Sequence, residues 1–432
     1  MDIYNLAYIY FSIGYDTDYR RMPKIDKLFS KFYLTGFLFF FLRFIGSFFK
    51  YGFCLPKRME DDGGGFLIWG LTINNKTTLS PLITELKKKG EHIDAITDRS
   101  SFPMWKLYLY SIRYLPSLIK EIVKASKENK RIFRSRFALI WRAYGSYKLA
   151  IEMLNKYAPK FVVVASDQDP FARALVSKAR ENDIRTVYVQ HAAVTNKFPP
   201  LDFSFSFLDG KESLSKYKQA GEIKGTIVLS GGVRFDRVLT PHKSPQNMVG
   251  VAINTIDDKK KVKELCMYLI SNNIDVVFRP HPTMNKSDWK VWCKKNNVSF
   301  SDPDNEDSFQ FLTGINLLVS NQSSIHLDAA IIGTKSTLYN FSNGIQNDYY
   351  GFLANDLIKE SHTHEEIIML LKDNKGVNTN VRYYNSSSQT DFFGYVSKLI
   401  CIILLDLCND ITLNGRLKKI DASDNFVVYD II

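Results

Sequence analysis

Short apolar runs alternate with amphipathic stretches along most of this chain, and two of the apolar runs end in polar clusters. Ile274–Phe278 stops at Arg279-Pro280-His281-Pro282, and Ile315–Val319 stops at Ser320-Asn321-Gln322-Ser323-Ser324. Apolar runs of this length, bounded by turn-forming residues, predict buried strands. Because ligands bind at the carboxyl ends of strands in an open parallel sheet, the two clusters predict an active site.

The same alternation of strand and helix patterns recurs on both sides of this stretch. It predicts strands near 66–70, 92–97, 161–165, 186–190 and 249–254, and helices near 79–89, 171–182, 259–271, 325–330, 364–372 and 392–407. Strands that alternate with helices in this way indicate a parallel sheet covered by helices. The fold class is therefore α/β.

The chain is too long, at 432 residues, for one ordinary hydrophobic core. We predict an N-terminal extension over 1–65 that ends in the linker Glu60–Gly65, and a first Rossmann-like domain over 66–245. A second Rossmann-like domain follows over 246–390, and 391–432 forms a C-terminal helix and tail packed across the two domains.

The most apolar segment of the extension is the phenylalanine-rich stretch 32–49, which carries Arg43 near its centre and is flanked by Lys31 and Lys50. A charge in the middle of a bilayer is costly, and flanking cations favour a helix that lies in the headgroup region. We therefore expect a membrane-associating segment. A buried core helix and a true transmembrane helix remain the alternatives.

The formal net charge is +12 and is spread along the chain. A basic surface suits nucleic acid, an anionic membrane or an acidic substrate. Residues 104–160 are helical, basic and aromatic, which indicates either a solvated face or a surface for anionic lipid or a lipid-linked acceptor. No zinc finger, RNA-binding sheet motif or basic recognition helix is present, so we expect no nucleic-acid partner.

The five cysteines are odd in number and widely spaced, and the first thirty residues lack the apolar core of a signal peptide. Both features favour a reducing cytoplasm and argue against cleavable secretion. Together with the segment 32–49, they predict a peripheral protein on the cytoplasmic face of the inner membrane.

Several of the strand-end residues suit an anionic ligand. An arginine such as Arg279 grips a phosphate bidentately, with His281 beside it as a second donor, although His281 also fits a turn that satisfies itself. Ser323 and Ser324 stand where a helix begins, where they either bind an anion or only cap the helix. Asp328, about one turn further, suits a ribose or the neighbouring loop.

Strand ends in the first half of the chain offer candidates for a general base. His191 follows a buried strand and is either a base for an acceptor hydroxyl or a structural histidine. Asp167 and Asp169 follow another strand. Two such acids hold a divalent metal, cap the helix that begins near Phe171, or touch the acceptor; we expect no metal and no cofactor.

Three motifs between 159 and 373 resemble bacterial two-Rossmann (GT-B type) glycosyltransferases of surface polysaccharide synthesis. Thr186–His191 is similar to their "QHG" strand end, with Ala192 in place of the glycine. Gly231 to Asp236 is similar to the "G-x-x-R-[FY]-D" that leads into their hinge. The "HP" motif matches His281-Pro282 and the "SS" motif matches Ser323-Ser324.

The nearest families are the CDP-glycerol glycerophosphotransferases of teichoic acid assembly and the CMP-sugar transferases, including polysialyltransferases. In these cytidine-nucleotide families the "HP" and "SS" motifs hold the phosphate and cytidine portions of the donor. The resemblance implies two Rossmann-like domains facing across a cleft. The His-Gly-Thr-Pro motif of the glycerophosphotransferases is absent, which favours a sugar transferase.

The resemblance implies transfer of a sugar from a CMP- or CDP-linked donor to a hydroxyl of a lipid-linked or growing surface polysaccharide, such as capsule or the O-antigen of lipopolysaccharide. The alternatives are a glycerophosphate transferase, a nucleotide-sugar epimerase of the same fold, and a non-catalytic scaffold. The predicted catalytic residues are His191, His281, Asp167 and Asp169. The predicted donor-binding residues are Arg279, Gln322, Ser323, Ser324, Asp328, Gly232 and Arg234.

Overall fold

The structure is a computed structural model that describes residues 2–12, 24–51, 64–195, 197–237, 247–342, 348, 350–373, 380–389, 394–408 and 417–431. These residues form two compact α/β units, each built on its own sheet. The first unit comprises Met1–Asp209, Ser213–Arg234 and Tyr395–Ile432. The second comprises Gly210–Glu212 and Phe235–Gly394.

The sheet of the first unit has the strand order β13-β14-β6-β5-β4-β3-β1-β2. All neighbouring strands are parallel except β13 and β14. The strands are β1 (Phe66–Trp69), β2 (Ile93–Ile96), β3 (Phe161–Val164), β4 (Arg185–Val189), β5 (Asp202–Leu208), β6 (Lys224–Leu229), β13 (Leu417–Ala422) and β14 (Phe426–Ile431).

Helices surround this sheet. They are α1 (Ile3–Leu6), α2 (Tyr8–Ser12), α3 (Lys24–Phe29), α4 (Tyr33–Tyr51), α5 (Ile73–Lys88), α6 (Met104–Ser111), α7 (Leu115–Lys124), α8 (Lys127–Ser135), α9 (Phe137–Ala143), α10 (Ser146–Tyr157), α11 (Pro170–Glu181), α12 (Lys211–Ala220) and α19 (Val396–Cys408). Every residue of β1 and β3 is buried, as expected of parallel strands covered on both faces.

The sheet of the second unit is wholly parallel, in the order β12-β11-β10-β7-β8-β9. Its strands are β7 (Met248–Ala252), β8 (Asp275–Arg279), β9 (Ser299–Phe300), β10 (Leu317–Ser320), β11 (Lys335–Tyr339) and β12 (Lys359–Ser361). Its helices are α13 (Lys259–Ser271), α14 (Ser287–Lys295), α15 (Ser308–Thr313), α16 (Ile325–Ile332), α17 (His364–Lys372) and α18 (Val381–Tyr384).

Helix α5 begins six residues before the predicted start at 79. Thr72 caps it, because its side chain accepts a hydrogen bond from the backbone N–H of Asn75 at 3.1 Å. Pro81 lies inside the helix. The residues between Ile73 and Leu79 are mostly polar, so apolar spacing does not indicate that the helix begins at Ile73. The Thr72 cap fixes this start locally.

The C-terminal tail belongs to one of the two units. Residues 395–432 belong to the first unit, where helix α19 packs on α5 and strand β14 pairs with β6. The apolar pattern of α19 indicates a buried helix but not the elements it packs against, so its place in the first unit could not be predicted from the sequence. The chain passes from the first unit to the second at Arg234–Phe235. The predicted boundary at 245/246 and residues 60–63 of the predicted linker lie outside the described residues.

The phenylalanine-rich segment forms the 19-residue helix α4. Within the part of the chain that the structure describes, this is the one helix long and apolar enough to cross a membrane by length and composition. One face of it is packed into the first unit: Phe40 is fully buried and stacks on Trp141, with 3.8 Å between ring centroids. Part of this segment is therefore protein core.

Candidate functional site

The second unit has a topological switch point between β7 and β10, where the chain leaves the sheet in opposite directions. Strand β7 pairs with β8 on one side and with β10 on the other. The loops that follow such a pair diverge and leave a crevice at the carboxyl edge of the sheet. The two polar clusters singled out in the sequence follow β8 and β10, so both lie at this edge.

A hydrogen-bonded network closes the base of this crevice. The side-chain amide of Asn321 donates to Asp257 Oδ1 at 2.7 Å, and the backbone N–H of Asn254 donates to Asp257 Oδ2 at 2.7 Å. Asn254 Nδ2 in turn donates to the Gln322 carbonyl at 2.8 Å. The loops after β7 and β10 are thus held together by a buried carboxylate, whose pKa is raised by burial.

His326 also belongs to this network. Its ring is fully buried, and its Nε2 lies 3.1 Å from the Asn321 carbonyl oxygen. Burial lowers the pKa of His326 to about 4, against the opposing effect of the Asn321 and Ser320 carbonyls. The ring is therefore neutral at pH 7 and fixes the turn that precedes α16.

Sequence reasoning missed Asn254, Asp257 and His326 as parts of the site. A signal was available for the first two, because the polar turn Asn254–Asp258 follows an apolar strand in the same way as the two recognised clusters do. No such signal marks His326, which lies within the apolar helix pattern.

Replacing Asn321 by alanine is expected to lower the free energy of unfolding by about 1–3 kcal/mol, because the buried Asp257 carboxylate loses a donor. Urea denaturation followed by circular dichroism measures the change. Asn272→Ala is the matched control, since Asn272 also donates one side-chain hydrogen bond, to the Tyr268 carbonyl, but is exposed. Equal losses in the two variants would contradict a special role for the network.

Arg279 is the last residue of β8, and its side chain binds residues of the second unit. Its guanidinium donates to Ser301 Oγ at 2.6 Å and to the Glu306 carbonyl at 2.8 Å, and its NH1 lies 3.6 Å from the Glu306 carboxylate. Only about 7% of its surface is exposed. The structure thus places this predicted phosphate ligand as a brace between β8 and the loop after β9.

His281, two residues later, is half-buried and presents one nitrogen to its own loop. Its Nδ1 lies 2.9 Å from Thr283 Oγ1 and accepts a hydrogen bond from the Thr283 backbone N–H at 3.3 Å. Burial lowers the pKa of the ring, which is therefore neutral at pH 7. Because Nδ1 accepts a backbone hydrogen bond, the proton of the neutral ring sits on Nε2, where it can donate to a ligand.

Ser323 and Ser324 precede helix α16 as predicted, but they do not form an ordinary cap. Ser323 Oγ lies 3.5 Å from the Ile325 nitrogen, which makes a weak hydrogen bond, and the Ser324 side chain forms no capping bond. Ser324 is exposed. The backbone N–H groups of His326 and Leu327 already donate to the Ser323 and Ser324 carbonyls. The exposed Ser324 hydroxyl is therefore the group at this end of α16 that remains suited to an anion.

Gln322 and Asp328 have different surroundings. Among the described residues, neither amide atom of the Gln322 side chain has a hydrogen-bond partner, although both are buried. Burying an amide without partners is costly, so this side chain is suited to a polar ligand at the switch point. Asp328 accepts a hydrogen bond from Ser308 Oγ, the first residue of α15, at 3.1 Å.

The first unit carries its own polar cluster at the carboxyl edge of its sheet, and Asp167 lies at the centre of it. This residue follows β3 and is 3% exposed. Its Oδ2 accepts a 2.7 Å hydrogen bond from the Tyr217 hydroxyl, whose oxygen lies 2.9 Å from the Tyr188 hydroxyl and can accept its proton. Burial raises the pKa of Asp167 to about 6, although the Tyr217 hydrogen bond acts in the opposite direction.

Asp169 has a structural task that Asp167 lacks. Its side chain caps helix α11 by accepting hydrogen bonds from the Phe171 and Ala172 backbone N–H groups, at 2.7 and 3.1 Å. The capping interpretation of this loop acid thus describes what Asp169 does. No group of three or more potential metal-binding side chains (His, Cys, Asp or Glu) occurs among the residues the structure describes.

A small cavity of about 110 Å³ reaches Asp167 along helix α11. Arg173 lines it and donates to the Asp167 carbonyl at 2.8 Å and to the Asn5 carbonyl at 2.6 Å. These bonds tie the N-terminal helix α1 to the end of β3. Arg173 of α11 thus links the loop that carries Asp167 to helix α1.

His191 follows β4 and belongs to the same edge. Burial lowers its pKa to about 4; the Ala165 carbonyl opposes this shift, and the positive charge of Arg234 adds to it. The ring is neutral at pH 7. With so low a pKa, however, His191 is a weak proton acceptor, and Asp167 is closer to the pKa that suits a general base near neutral pH.

Arg234 is paired within the first unit. Its NH1 lies 2.8 Å from Asp209 Oδ2, at the ends of β6 and β5, and Gln190 Oε1 accepts a hydrogen bond from the Asp209 backbone N–H at 2.9 Å. Gly231, with φ 84°, makes the turn before buried Gly232 in a region that favours glycine. Gly232 and Arg234 were predicted to bind the donor, but both belong to the unit that carries Asp167.

The structure therefore groups the predicted residues by unit. In the first unit, Asp167 and His191 lie at the carboxyl ends of the neighbouring strands β3 and β4, Arg234 lies in the turn after β6, and Tyr188 interacts electrostatically with Asp167 and Arg234. In the second unit, Gln322 joins the Asn321–Asp257 network. The Ile253 backbone N–H donates to the Arg279 carbonyl at 3.1 Å, which links the end of β7 to the strand that carries His281.

The chain matches no known protein family in sequence, and no curated protein matches it. Solved structures do resemble it in fold. A UDP-N-acetylglucosamine 2-epimerase has a TM-score of 0.52 at 12% identity, covering 85% of this chain and 100% of its own. MnaA of S. aureus, solved with UDP, has a TM-score of 0.51 at 13% identity, covering 81% and 98%.

A glycotransferase of kitacinnamycin is also similar, with a TM-score of 0.50 at 10% identity, covering 79% of this chain and 98% of its own. At these identities the likeness shows the fold alone. The predicted fold class, α/β with two Rossmann-like parallel-sheet domains of the GT-B type, is thereby confirmed, and the apolar N-terminal helix is present.

Proposed function

We propose that this protein is a glycosyltransferase that moves a sugar from a nucleotide-activated donor to a hydroxyl of a lipid-linked or growing surface polysaccharide. The observation that carries the proposal is the Asp167 carboxyl group. It lies at the carboxyl edge of a parallel sheet, and its pKa of about 6 suits it to accept the proton of an attacking hydroxyl near neutral pH. His191 and Asp169 are the weaker candidates, because one has a low pKa and the other caps a helix.

The second unit supplies the groups that suit a nucleotide donor. The Nε2–H of His281 and the Ser324 hydroxyl are the proposed donors to phosphate oxygens, and the His281 ring, held by its loop, would favour the charge that develops on a leaving phosphate. The Gln322 amide, with its donor and acceptor atoms, is suited to a polar ring such as a nucleobase. Arg279 acts indirectly, by bracing the end of β8, from which the His281 loop continues, against the loop after β9.

A cytidine nucleotide is the proposed donor class. Support comes from the "HP" and "SS" motifs at His281-Pro282 and Ser323-Ser324, which resemble those of the CDP-glycerol and CMP-sugar transferases. The absence of a His-Gly-Thr-Pro motif makes a sugar a better candidate than glycerophosphate for the transferred group. No step in this scheme requires a metal.

A nucleotide-sugar epimerase is the second candidate. Its support is the shared fold, because a UDP-N-acetylglucosamine 2-epimerase and the UDP-bound MnaA are among the similar structures. The two functions differ in what they need. An epimerase changes the donor sugar without any acceptor, whereas the transferase leaves the sugar unchanged until a hydroxyl acceptor is supplied.

We expect CMP and CDP to raise the melting temperature of the purified protein, and UDP and GDP to have little effect. A ligand at one hundred times its Kd stabilises the native state by about 2.7 kcal/mol. Ser324→Ala should weaken this response, and Ser271→Ala should not, because Ser271 is an exposed serine at the end of α13, before the start of β8 and thus at the other edge of the sheet. Stabilisation by UDP alone would contradict the proposal of a cytidine nucleotide donor. The absence of a response to any nucleotide would contradict the proposed donor site.

The epimerase alternative is tested separately by incubating the protein with UDP-N-acetylglucosamine alone and following the sugar by proton NMR. We expect no new sugar signals. Appearance of a second sugar epimer without an acceptor would replace the transferase proposal by the epimerase.

A further inference from the structure

Helix α4 has an outward face that is almost entirely apolar. The side chains on this face are spaced by three or four residues and are more than half exposed: Leu34 70%, Leu38 52%, Leu42 57%, Ile45 51% and Phe49 82%. This spacing aligns them in one stripe along the helix. A continuous exposed stripe of this kind marks an interaction surface rather than scattered surface residues.

The opposite face of α4 is built into the first unit along its length. Phe40 packs between Trp141, at 3.8 Å, and Tyr108, at 5.0 Å between ring centroids. Near the start of the helix, a Cβ atom on Gly36 would lie 2.7 Å from Phe137 Cβ, so only glycine allows this close approach. A helix that crossed a bilayer would have to leave all these contacts.

Arg43, which sits in the middle of the apolar segment, does not interrupt the stripe. Its guanidinium is 3.2 Å from Asp26 Oδ1 and lies over the Phe39 ring at 4.3 Å. Arg136 of the first unit lies 3.9 Å from the other Asp26 oxygen. The charge that makes this sequence unfavourable as a transmembrane segment is thus compensated by an acid of helix α3.

Cations lie near the start of α4, at the end of the stripe that Leu34 begins. The Tyr33 hydroxyl donates to the Lys130 carbonyl at 3.0 Å, which places the start of α4 beside helix α8. Four basic residues at or near this junction are exposed: Lys31, Lys127, Lys130 and Arg131. An apolar helical face with exposed lysine and arginine next to it has the composition of a helix that lies in the interface of an anionic bilayer.

We propose that the first unit docks on one leaflet of an anionic lipid bilayer through the α4 stripe, with α4 lying in the interface and not crossing it. The flanking cations favour this occupant over a second copy of the chain, because two copies would bring like charges together. The docking does not depend on the proposed glycosyl transfer. It would place the protein where lipid-linked acceptors are found.

Flotation with preformed vesicles tests the docking. The full chain should float with vesicles of 70% phosphatidylcholine and 30% phosphatidylglycerol, and less with phosphatidylcholine alone. We expect Leu38→Glu/Leu42→Glu to lower partitioning at least tenfold. Replacing Lys127, Lys130 and Arg131 by serine should remove most of the preference for anionic lipid, at about fivefold for each cation lost.

The matched control is Val291→Glu/Met369→Glu, which changes two apolar residues of the second unit that are at least as exposed as Leu38 and Leu42. It should float like the unchanged protein. In all these variants the response to nucleotides should be retained, so that loss of docking is distinguishable from failure of the proposed function. Unchanged flotation of Leu38→Glu/Leu42→Glu, or a change from dimer to monomer as its only effect in light scattering, would overturn the proposal.

Cysteine labelling separates docking from crossing. Cys54 and Cys408 are replaced by serine, the buried Cys266, Cys293 and Cys401 are kept, and Lys31→Cys or Lys50→Cys is introduced. A membrane-impermeant maleimide added outside sealed vesicles should label both positions. Protection of one of the two would show that the helix crosses, and would overturn the one-sided arrangement.

Discussion

Asp167→Asn is expected to lower kcat by about 10²–10⁴-fold, the usual contribution of a general base. The asparagine keeps the size of the side chain and an oxygen that accepts the Tyr217 hydrogen bond, but it cannot take a proton. The measurement is the rate of sugar transfer from a CMP-linked donor to an acceptor glycan. Asp169→Asn is the control, because Asp169 has the cap of α11 as its task and should retain turnover.

The pH dependence gives a second readout of the same group. The base must be ionised, so turnover should reach its plateau above about pH 7, be about half-maximal near pH 6 and approach a tenfold fall per pH unit at lower pH, following the raised pKa of Asp167. Tyr217→Phe removes a hydrogen bond that lowers this pKa, so the acidic limb should move to higher pH. A limb that stays in place in Tyr217→Phe, or near-normal turnover in Asp167→Asn, would exclude Asp167 as the base.

Stability should not explain the loss of activity. Because burial raises the folded-state pKa of Asp167 above the value near 3.8 of an exposed acid, its contribution to stability is full below pH 4 and is lost as the pH rises through 6. At pH 8 the asparagine variant should therefore unfold at a denaturant concentration no lower than the unchanged protein. Marked destabilisation would indicate that Asp167 is needed for the fold.

His281→Ala is expected to lower kcat by about 10²–10³-fold, the usual cost of one donor that stabilises developing charge. The reason is the Nε2–H group, which the backbone hydrogen bond at Nδ1 keeps in place for a phosphate oxygen. The melting temperature should change little, because the ring is only half-buried. Transfer rate and thermal unfolding are measured on the same preparation.

His362→Ala is the control for this substitution, since His362 is exposed in the same unit and lies after β12 instead of at the switch point. It should leave turnover and nucleotide response unchanged. His281→Asn tests the donor itself and should recover part of the activity if a side-chain N–H is what the site requires. Turnover near normal in His281→Ala would remove His281 from the site.

The second unit shows how far strand-end reasoning reaches. The apolar runs that became β8 and β10 were identified from sequence, and so was their common edge, because parallel strands present their carboxyl ends together. The hydrogen-bond partners of each side chain at that edge could not be predicted from the sequence. Arg279 has the sequence context of a phosphate ligand, yet the nearby Ser301 and Glu306 carbonyl hold it as a brace.

In the first unit, the sequence could not distinguish the roles of two acids. Asp167 and Asp169 are equivalent in sequence, two acids one residue apart after a strand. The start of helix α11 provides two backbone N–H groups for Asp169, whereas the Tyr217 hydroxyl, fifty residues away, meets Asp167. Only the packing of α12 against the sheet separates a capping acid from a buried one with a raised pKa.

Apolar spacing and turn residues by themselves determined the α/β class, the two units and the edges at which their polar residues gather, because these follow from local periodicity and from the geometry of parallel sheets. The tertiary structure decided the surroundings of each group: the return of the C-terminal tail to the first sheet, the pairing of Arg43 with Asp26, and the buried Asp167. Burial and contacts between residues far apart in the chain determine the pKa values of these groups and which of their hydrogen-bonding atoms have a partner. The spacing of residues along the chain determines neither burial nor those contacts.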